Sequence, residues 1–391
     1  MPHTILKFAG CSGSNLASKA GALPGQPQVN CYQQGAAMTT ILNPEEKRKV
    51  LEAVWRLEDT DEVPFTIELG PFHGATKAFY DDPEAEVKWS EEQHKNREGI
   101  YDYGLPNIKP NQGIGIVAAA FGCEYEVNDE ADPWIRAKIK EENADDVYKL
   151  EIPDPVNNAI FSKTWKRIES LRKLSSMPLR MVNVPSPLVT ASMIWDYTSF
   201  IEAILIFPDE VHALLEKVTQ ATILYIKEQF KRIDNLFSIG HESIYPIPRS
   251  VGVRISDDTA ALLSPAMYRE FGVKYNNMIS REFGGIVVHS CGDIQHVVSA
   301  MIEIEGLRGL DFTMPQVNNW EAVRDITAGK TVLCLRHRYW DHPANVKPDL
   351  VGFSKKLVDC FGRKGVIIET AAATPDEGRS LGEELHQALS R

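Results

Sequence analysis

The sequence contains no long apolar run. No stretch of about 18 uncharged apolar residues occurs in its 391 residues, and the N-terminus has no hydrophobic signal core. Basic residues are also in the minority, because 42 Lys and Arg face 54 Asp and Glu for a formal net charge of −12. This charge argues against broad binding to nucleic acid or to an anionic membrane. The six cysteines are few and dispersed, so we predict free thiols in a cytoplasmic protein.

The composition and the N-terminal pattern indicate one large ordered domain. Hydrophobic residues make up 43% of the chain and charged residues 25%, which is ordinary for a globular protein with a sizeable core. Residues 1–37 are rich in Gly, Ser, Ala, Pro and Gln, and we predict an irregular leader over residues 1–42. Asn43 and Pro44 then provide a helix N-cap and a first helical residue. We therefore expect the domain to span residues 43–391.

Short apolar runs alternate with amphipathic helical stretches along this domain. The runs occupy residues 64–70, 178–184, 250–256, 284–290, 307–312, 330–336 and 365–370. Strands that alternate with helices indicate βα units and a parallel sheet, and their apolarity on both faces indicates a sheet that is covered on both sides. With an eighth strand in less regular sequence, we predict an α/β fold of the (β/α)8 TIM-barrel type with additional N-terminal helices.

An open, doubly wound sheet is the alternative fold, and it would require a phosphate-binding loop. The G-x-G-x-x-A match at Gly113–Ala118 is the candidate for such a loop. It follows the segment YDYGLPNIKPNQ, which does not have the pattern of a strand. We therefore interpret these glycines as loop residues or as the start of a helix.

A histidine and a cysteine stand at the end of the apolar run GGIVVHSCGD. His289 and Cys291 are separated by two positions, so strand periodicity directs both side chains to the same face. Catalytic groups of a TIM barrel lie at the C-terminal ends of its strands, and zinc accepts imidazole nitrogen and thiolate sulfur. Gly292 would let the backbone turn after the pair. The alternative is a buried cysteine beside a structural histidine.

The segment around this pair resembles a known enzyme superfamily. Residues 256–293, SDDTAALLSPAMYREFGVKYNNMISREFGGIVVHSCGD, are similar to the uroporphyrinogen decarboxylase superfamily, particularly to its corrinoid-dependent methyltransferases, whose H-x-C-G motif follows a similar helix. The similarity extends, with gaps, over most of residues 45–390. It implies a TIM barrel with a pocket at its C-terminal mouth.

The resemblance implies two enzymatic activities. One branch of the superfamily decarboxylates the acetate arms of a porphyrinogen, and the other passes methyl groups between a corrinoid protein and a thiol or another acceptor. The decarboxylase branch carries an arginine-rich N-terminal segment, whereas the corresponding residues here read FTIELGPFHGATKAFY. We therefore favour a zinc-dependent methyltransferase that acts on a small molecule, with cobalamin carried by a partner corrinoid protein. A decarboxylase and a metal-free binding protein of the same fold are the alternatives.

The third zinc ligand departs from the family pattern. The resemblance implies a cysteine near the end of the last strand, where this sequence has Ala372 in GVIIETAAATPDEG. Glu369 in the same strand and Cys334 in TVLCLRH are substitute ligands, because zinc also binds carboxylates. We predict Glu369 as the third ligand, with His289 and Cys291.

Four polar residues near strand ends are further candidates. Asp257 and Asp258 end the run SVGVRIS, where a carboxylate would hold substrate or orient a metal-bound histidine, or would cap the next helix. Glu68 and His73 flank the end of the first strand. We predict catalytic roles for Asp257, Asp258 and Glu68 and a substrate contact for His73, with an exposed loop as the alternative for the last two.

The segment RHRYWDHP at residues 336–343 differs most from the family. It follows a strand, so we predict that Arg336, His337 and Tyr339 bind an anionic or aromatic part of the substrate. A surface loop that pairs with nearby acids is the alternative. Asp311 matches a family position and is expected to support the barrel.

Overall fold

A computed structural model describes residues 42–70, 82–127, 133–233, 247–343 and 347–391. The strands are β1 (Phe65–Leu69), β2 (Glu124–Glu126), β3 (Trp134–Arg136), β4 (Val253–Ser256), β5 (Ile286–Ser290), β6 (Leu307–Thr313), β7 (Val332–Arg336) and β8 (Val366–Ala372). Six of them form a parallel sheet in the order β1-β8-β7-β6-β5-β4, and β2 and β3 form a separate antiparallel pair. The fold is therefore α/β, with one curled parallel sheet at its centre.

Helices follow the strands and cover the sheet. The α-helices are α1 (Pro44–Trp55), α2 (Pro83–Asn96), α3 (Ile116–Ala120), α4 (Ala159–Leu174), α5 (Pro187–Ile194), α6 (Tyr197–Ile206), α7 (Pro208–Arg232), α8 (Pro265–Tyr268), α9 (Lys274–Phe283), α10 (Val298–Met301), α11 (Trp320–Thr327), α12 (Leu350–Phe361) and α13 (Pro375–Leu389). A π-helical turn, Arg269–Val273, joins α8 to α9. A 3-10 turn, Asp258–Leu262, follows β4. Helix α13 packs on β1 and β8, α12 packs on β8, and α9 packs on β5.

Local sequence signals explain several of these elements. The Asn43 side chain accepts hydrogen bonds from the backbone N–H groups of Glu45 and Glu46, and Glu46 accepts one from the Asn43 N–H. This capping box confirms the helix that was predicted to begin after Asn43. Strands β4 and β5 are buried along their full length, as expected for apolar strands that are covered on both faces.

The predicted closed barrel of eight strands is only partly present. Six parallel strands account for one curled sheet within the described residues, and the predicted strand at residues 178–184 is not a regular strand. The buried N–H of Val182 donates to the side-chain carbonyl of Gln229 on α7, at 2.8 Å, so this backbone group is not available to a neighbouring strand. The apolar pattern was therefore right about burial and wrong about strand pairing.

Irregular backbone links the two edges of the sheet. The Tyr103 N–H donates to the carbonyl of Phe65 on β1. Ile108 forms a parallel bridge with Leu179, and Pro185 forms another with Ser256 on β4. Single bridges thus take the place of the second and third barrel strands, and the architecture is consistent with a TIM-like barrel whose sheet is regular over β4–β8 and β1.

The glycine motif at Gly113–Ala118 does not form a phosphate loop after a strand. It leads into the short helix α3, and residues 101–112 contain no regular strand. Gly115 has a packing role, because a Cβ atom at this position would lie 2.3 Å from Cγ1 of Ile135 on β3. The interpretation of these glycines as loop and helix-start residues is confirmed.

Two further sequence predictions concern the N-terminal leader and the lack of a membrane-spanning segment. The predicted leader lies outside the described residues except for its last residue, Leu42. Across the described ranges, every helix is too short or too polar to cross a bilayer.

Candidate metal centre

His289 and Cys291 meet at the C-terminal end of β5. In the parallel register His289 lies beside Ser256 of β4 and Asp311 of β6. The His289 ring is fully buried, whereas Cys291, just beyond the strand, is partly exposed. His289 Nε2 lies 3.1 Å from Cys291 Sγ. The spacing of two positions therefore brings the imidazole and the thiol together, as strand periodicity predicts.

Asp258 joins this pair from the adjacent strand end. It is the first residue of the 3-10 turn after β4, and its Oδ1 accepts the backbone N–H of Cys291 at 2.6 Å. One ligand atom each from Asp258, His289 and Cys291 lies within 4.8 Å of the other two. We call these three residues the Asp-His-Cys group.

The donor set fits a zinc ion. Zinc bonds of about 2.0–2.3 Å place neighbouring ligands roughly 3–4 Å apart, and the Asp-His-Cys group approaches this spacing. Nitrogen, thiolate sulfur and carboxylate oxygen are all ordinary zinc donors. Asp258 and Cys291 are partly exposed while His289 is buried, so the group opens toward solvent on one side. Three protein ligands and one open side are the arrangement of a catalytic zinc site.

A buried charged group lies on the other side of the His289 ring. Asp311 Oδ2 is 3.1 Å from His289 Nδ1 and 3.1 Å from Arg336 Nη2, and it also pairs with Arg254. All four side chains are at most 1% exposed. The histidine therefore lies between a possible metal ligand on its Nε2 side and an ion-paired carboxylate on its Nδ1 side.

Glu369, the predicted third ligand, lies outside the Asp-His-Cys group. In the parallel register Glu369 lies beside Arg336, and its Oε2 accepts from Arg336 Nε at 3.3 Å. The Arg336 guanidinium thus pairs with the Glu369 carboxylate, which was predicted to bind the metal. Cys334, the other substitute, is fully buried on β7 and also lies outside the group. Asp258 is the third member of the group.

Asp257 has a different environment from Asp258. Its carboxylate is fully buried and accepts hydrogen bonds from the hydroxyls of Ser186 (2.7 Å) and Tyr268 (2.8 Å) and from Asn276 Nδ2 (3.0 Å). Burial raises the pKa of Asp257, and the three donors oppose this shift. These donors come from the N-cap of α5, from α8 and from α9. Asp257 therefore joins three helices at the end of β4, and its predicted catalytic role stays a prediction.

Glu68 lies at the end of β1 on another part of the sheet. Its Oε2 is 3.3 Å from Arg338 Nη1, and Arg338 also contacts both carboxylate oxygens of Asp341 at 3.1 Å. Arg338 is therefore neutralised by two acids and is not an isolated anion-binding group. His73, the predicted substrate contact beyond this strand end, lies outside the described residues.

Two of the three predicted substrate-binding residues at and just after the end of β7 are completely buried. Arg336 belongs to the charged group around Asp311, and His337 Nε2 lies 2.8 Å from Ser354 Oγ on α12. Burial lowers the pKa of His337 to about 3, and nearby His342 adds to the shift. The ring is therefore neutral at physiological pH. Tyr339 is partly exposed and is the one of the three whose side chain reaches the surface. The predicted substrate contacts of Arg336, His337 and Tyr339 stay predictions, and Tyr339 is the most accessible of the three.

Sequence reasoning missed two residues close to this chemistry. Arg254 stands inside the apolar run SVGVRIS, and a cation within a buried strand is the signal that could have found it. Tyr197 begins α6, where burial raises its pKa to about 12 and the charge of Asp258 adds to the shift. Nothing in the local sequence pattern distinguishes Tyr197 from other tyrosines at helix starts.

The fold and the Asp-His-Cys group define an α/β protein with a candidate metal-binding cluster at adjacent strand ends. The family model for uroporphyrinogen decarboxylase (URO-D) matches residues 73–239, less than half of the chain. A uroporphyrinogen decarboxylase from Campylobacter concisus is 43% identical over 72 residues, which cover 18% of this chain and 16% of that protein. The matched segment is thus a small part of the curated relative.

Solved structures provide a longer match. A methyltransferase from Methanosarcina mazei has a TM-score of 0.63 at 16% sequence identity, covering 88% of this chain and 97% of that chain. A B12-independent methionine synthase from a Shewanella species, solved with selenomethionine, has a TM-score of 0.47 at 10% identity, covering 83% and 96%. The first match shows a shared fold, and the family match supports the resemblance to the uroporphyrinogen decarboxylase superfamily.

Proposed function

We propose that this protein is a zinc-dependent methyltransferase that moves a methyl group between a small molecule and a separate corrinoid protein. The observation that carries the proposal is the convergence of Asp258, His289 and Cys291 at the C-terminal ends of β4 and β5. This is the edge of a parallel barrel at which catalytic groups lie. The fold shared with the Methanosarcina mazei methyltransferase supports the same reaction class.

The three residues would hold the metal from one side. Bound zinc would act as a Lewis acid, which keeps a thiolate nucleophilic at neutral pH or makes an ether oxygen a better leaving group. The Cys291 N–H donates to Asp258 Oδ1 and so holds the turn after β5 against the turn after β4. Because Asp258 and Cys291 are partly exposed, a small substrate would approach from their side.

The proposal is tested by metal content and by methyl transfer from free methylcobalamin to a panel of thiols. The purified protein should contain about one zinc ion per chain, since three protein donors complete one site. The double variant H289A/C291A should lose the zinc and the transfer, which is followed by the change in corrinoid absorption. C360A is the matched control, because Cys360 is a partly exposed thiol on α12. Zinc-free wild-type protein, or transfer by the double variant at the wild-type rate, would contradict the proposal.

A porphyrinogen decarboxylase is the second candidate. The family model and the Campylobacter concisus relative carry that name. A substrate with several carboxylates needs free cations, whereas Arg338 near β1 already pairs with Glu68 and Asp341. Release of carbon dioxide from a porphyrinogen, without corrinoid and unchanged in H289A/C291A, would favour this candidate. A well-folded wild-type protein with neither methyl transfer nor carbon dioxide release would instead favour a binding protein.

A further inference from the structure

Thr313 ends β6 in the same layer of strand ends as two members of the Asp-His-Cys group. The parallel register places Ser256 of β4 beside His289 of β5, and His289 beside Asp311 of β6. Side chains two positions apart on a strand share one face of the sheet. Two positions further along the three chains stand Asp258, Cys291 and Thr313. Thr313 is therefore directed to the side of the sheet on which the candidate metal ligands lie.

The hydroxyl of Thr313 is buried and has no hydrogen-bond partner among the residues that the structure describes. The residue is 2% exposed, so bulk water does not supply the missing partner. A buried hydroxyl without a partner is destabilising, and such groups are rare in native proteins. Valine has nearly the same shape and would avoid this cost. A threonine at this position therefore indicates a hydrogen-bond partner that the chain itself does not supply.

A molecule bound at the open side of the Asp-His-Cys group is within reach of this hydroxyl. Asp258 and Cys291 are the partly exposed members of the group, so a small molecule would enter past them. Adjacent strands lie about 4.8 Å apart, and the next strand end beyond Cys291 is that of Thr313. Rotation about the Cα–Cβ bond moves the hydroxyl among staggered positions, so the contact does not require the rotamer of the free protein.

Building on the methyl transfer to a thiol proposed above, we infer that the Thr313 hydroxyl binds the substrate and selects thiols that carry a hydrogen-bonding group close to the sulfur. A thiol with a hydroxyl on its second carbon supplies the missing partner of Thr313. A hydrocarbon thiol of the same shape leaves the Thr313 hydroxyl unpaired. A site that contains such a hydroxyl disfavours the hydrocarbon, because a buried polar group without a partner costs free energy.

Binding of 2-mercaptoethanol and 1-propanethiol, measured by calorimetry, tests this role. The two thiols have nearly the same size and differ by a hydroxyl in place of a methyl group. In T313V the ratio of their dissociation constants should shift toward 1-propanethiol by about three- to tenfold, the effect of one neutral hydrogen bond. T313S retains the hydroxyl and should keep the wild-type ratio. The same shift should appear in the KM values for methyl transfer.

T331V is the matched control. Thr331 is also a buried threonine whose hydroxyl lacks a partner within the described ranges, and it precedes β7 at the opposite end of the sheet. Both T313V and T331V should be at least as stable in urea as wild type, because valine removes an unsatisfied hydroxyl. T331V should keep the wild-type thiol ratio. Zinc affinity, measured by competition with a chromophoric chelator, should be unchanged in both variants.

Calorimetry requires neither a corrinoid nor turnover, so it separates the role of Thr313 from the proposed reaction. A wild-type thiol ratio in T313V would overturn the role of Thr313. A loss of stability or of zinc in T313V that T331V does not share would also overturn it, because the hydroxyl would then serve the protein itself. A shifted ratio in T313V without methyl transfer by wild type would support Thr313 as a ligand-binding residue and contradict the methyltransferase. Absence of thiol binding by wild type would contradict both.

Discussion

Replacing Asp257 by alanine should destabilise the protein much more than replacing it by asparagine. Both substitutions remove the buried charge, so the cost of burying that charge cancels when the two variants are compared. Asparagine retains one carbonyl oxygen. This oxygen can still accept the hydrogen bonds that Tyr268 and Asn276 now donate to Asp257 Oδ2. Alanine leaves these two donors and the Ser186 hydroxyl without their acceptor.

The magnitude follows from the two hydrogen bonds that only asparagine preserves. A buried donor that loses its partner costs about 1–3 kcal/mol. The Asn276 side chain also lies 3.2 Å from the Tyr268 hydroxyl, so these two groups can partly compensate each other. We therefore use the lower half of the range and expect D257A to be about 2–4 kcal/mol less stable than D257N.

Urea unfolding at neutral pH measures this difference, and zinc binding separates structure from function. D257N should retain zinc affinity close to wild type, because Asp257 faces helices α5, α8 and α9. D258N should show the opposite pattern, with nearly unchanged stability and weakened zinc binding, since Asp258 is partly exposed and belongs to the Asp-His-Cys group. Equal stability of D257A and D257N, or loss of zinc by a stable D257N, would refute the reasoning.

Three further predictions test other parts of the structure. E369Q should bind zinc within about threefold of wild type, because Glu369 pairs with Arg336; a much larger loss in the chelator assay would restore it as a ligand. Below about pH 6.5 the unfolded chain protonates His337, while the folded ring stays neutral down to about pH 3. The free energy of unfolding should therefore decrease by up to about 1.4 kcal/mol for each pH unit of acidification in this interval. H337Q should flatten this part of the urea-unfolding pH profile, and an unchanged slope would contradict it. G115A should cost about 1–3 kcal/mol in the same assay, because its Cβ would overlap Ile135; no loss would show that β3 moves freely.

Apolar patterning was sufficient for most of the sheet because its strands are buried on both faces. The runs that begin at residues 284, 307, 330 and 365 all contain a strand of the parallel sheet. The run at residues 178–184 has the same composition, yet Val182 bonds to Gln229 and the chain forms only single bridges. Hydrophobic pattern reports burial, whereas strand pairing depends on where each backbone N–H finds an acceptor. That information comes from residues about 50 positions away in the sequence and is not present in the local pattern.

The two consecutive aspartates also show that local sequence does not determine the role of a single residue. Asp257 and Asp258 are identical in type and adjacent in sequence, so no local argument assigns them different roles. Tertiary structure separates them, because Asp257 is enclosed by three helices while Asp258 begins the 3-10 turn and reaches the β5 turn. The charges in SVGVRIS and TVLCLRH could have indicated a buried ion network, since an unpaired arginine is very unfavourable inside a sheet.

The third candidate metal donor lies on a different strand from the one that the family pattern indicates. Reasoning along β8 selected Glu369, because that strand normally supplies the ligand and this chain has Ala372 where the resemblance has cysteine. The parallel register places Glu369 beside Arg336, whose guanidinium engages its carboxylate. Asp258 instead reaches the histidine and cysteine from β4, the strand next to β5. A donor set from two neighbouring strand ends requires nothing from β8, so the alanine at position 372 is compatible with a three-donor metal site.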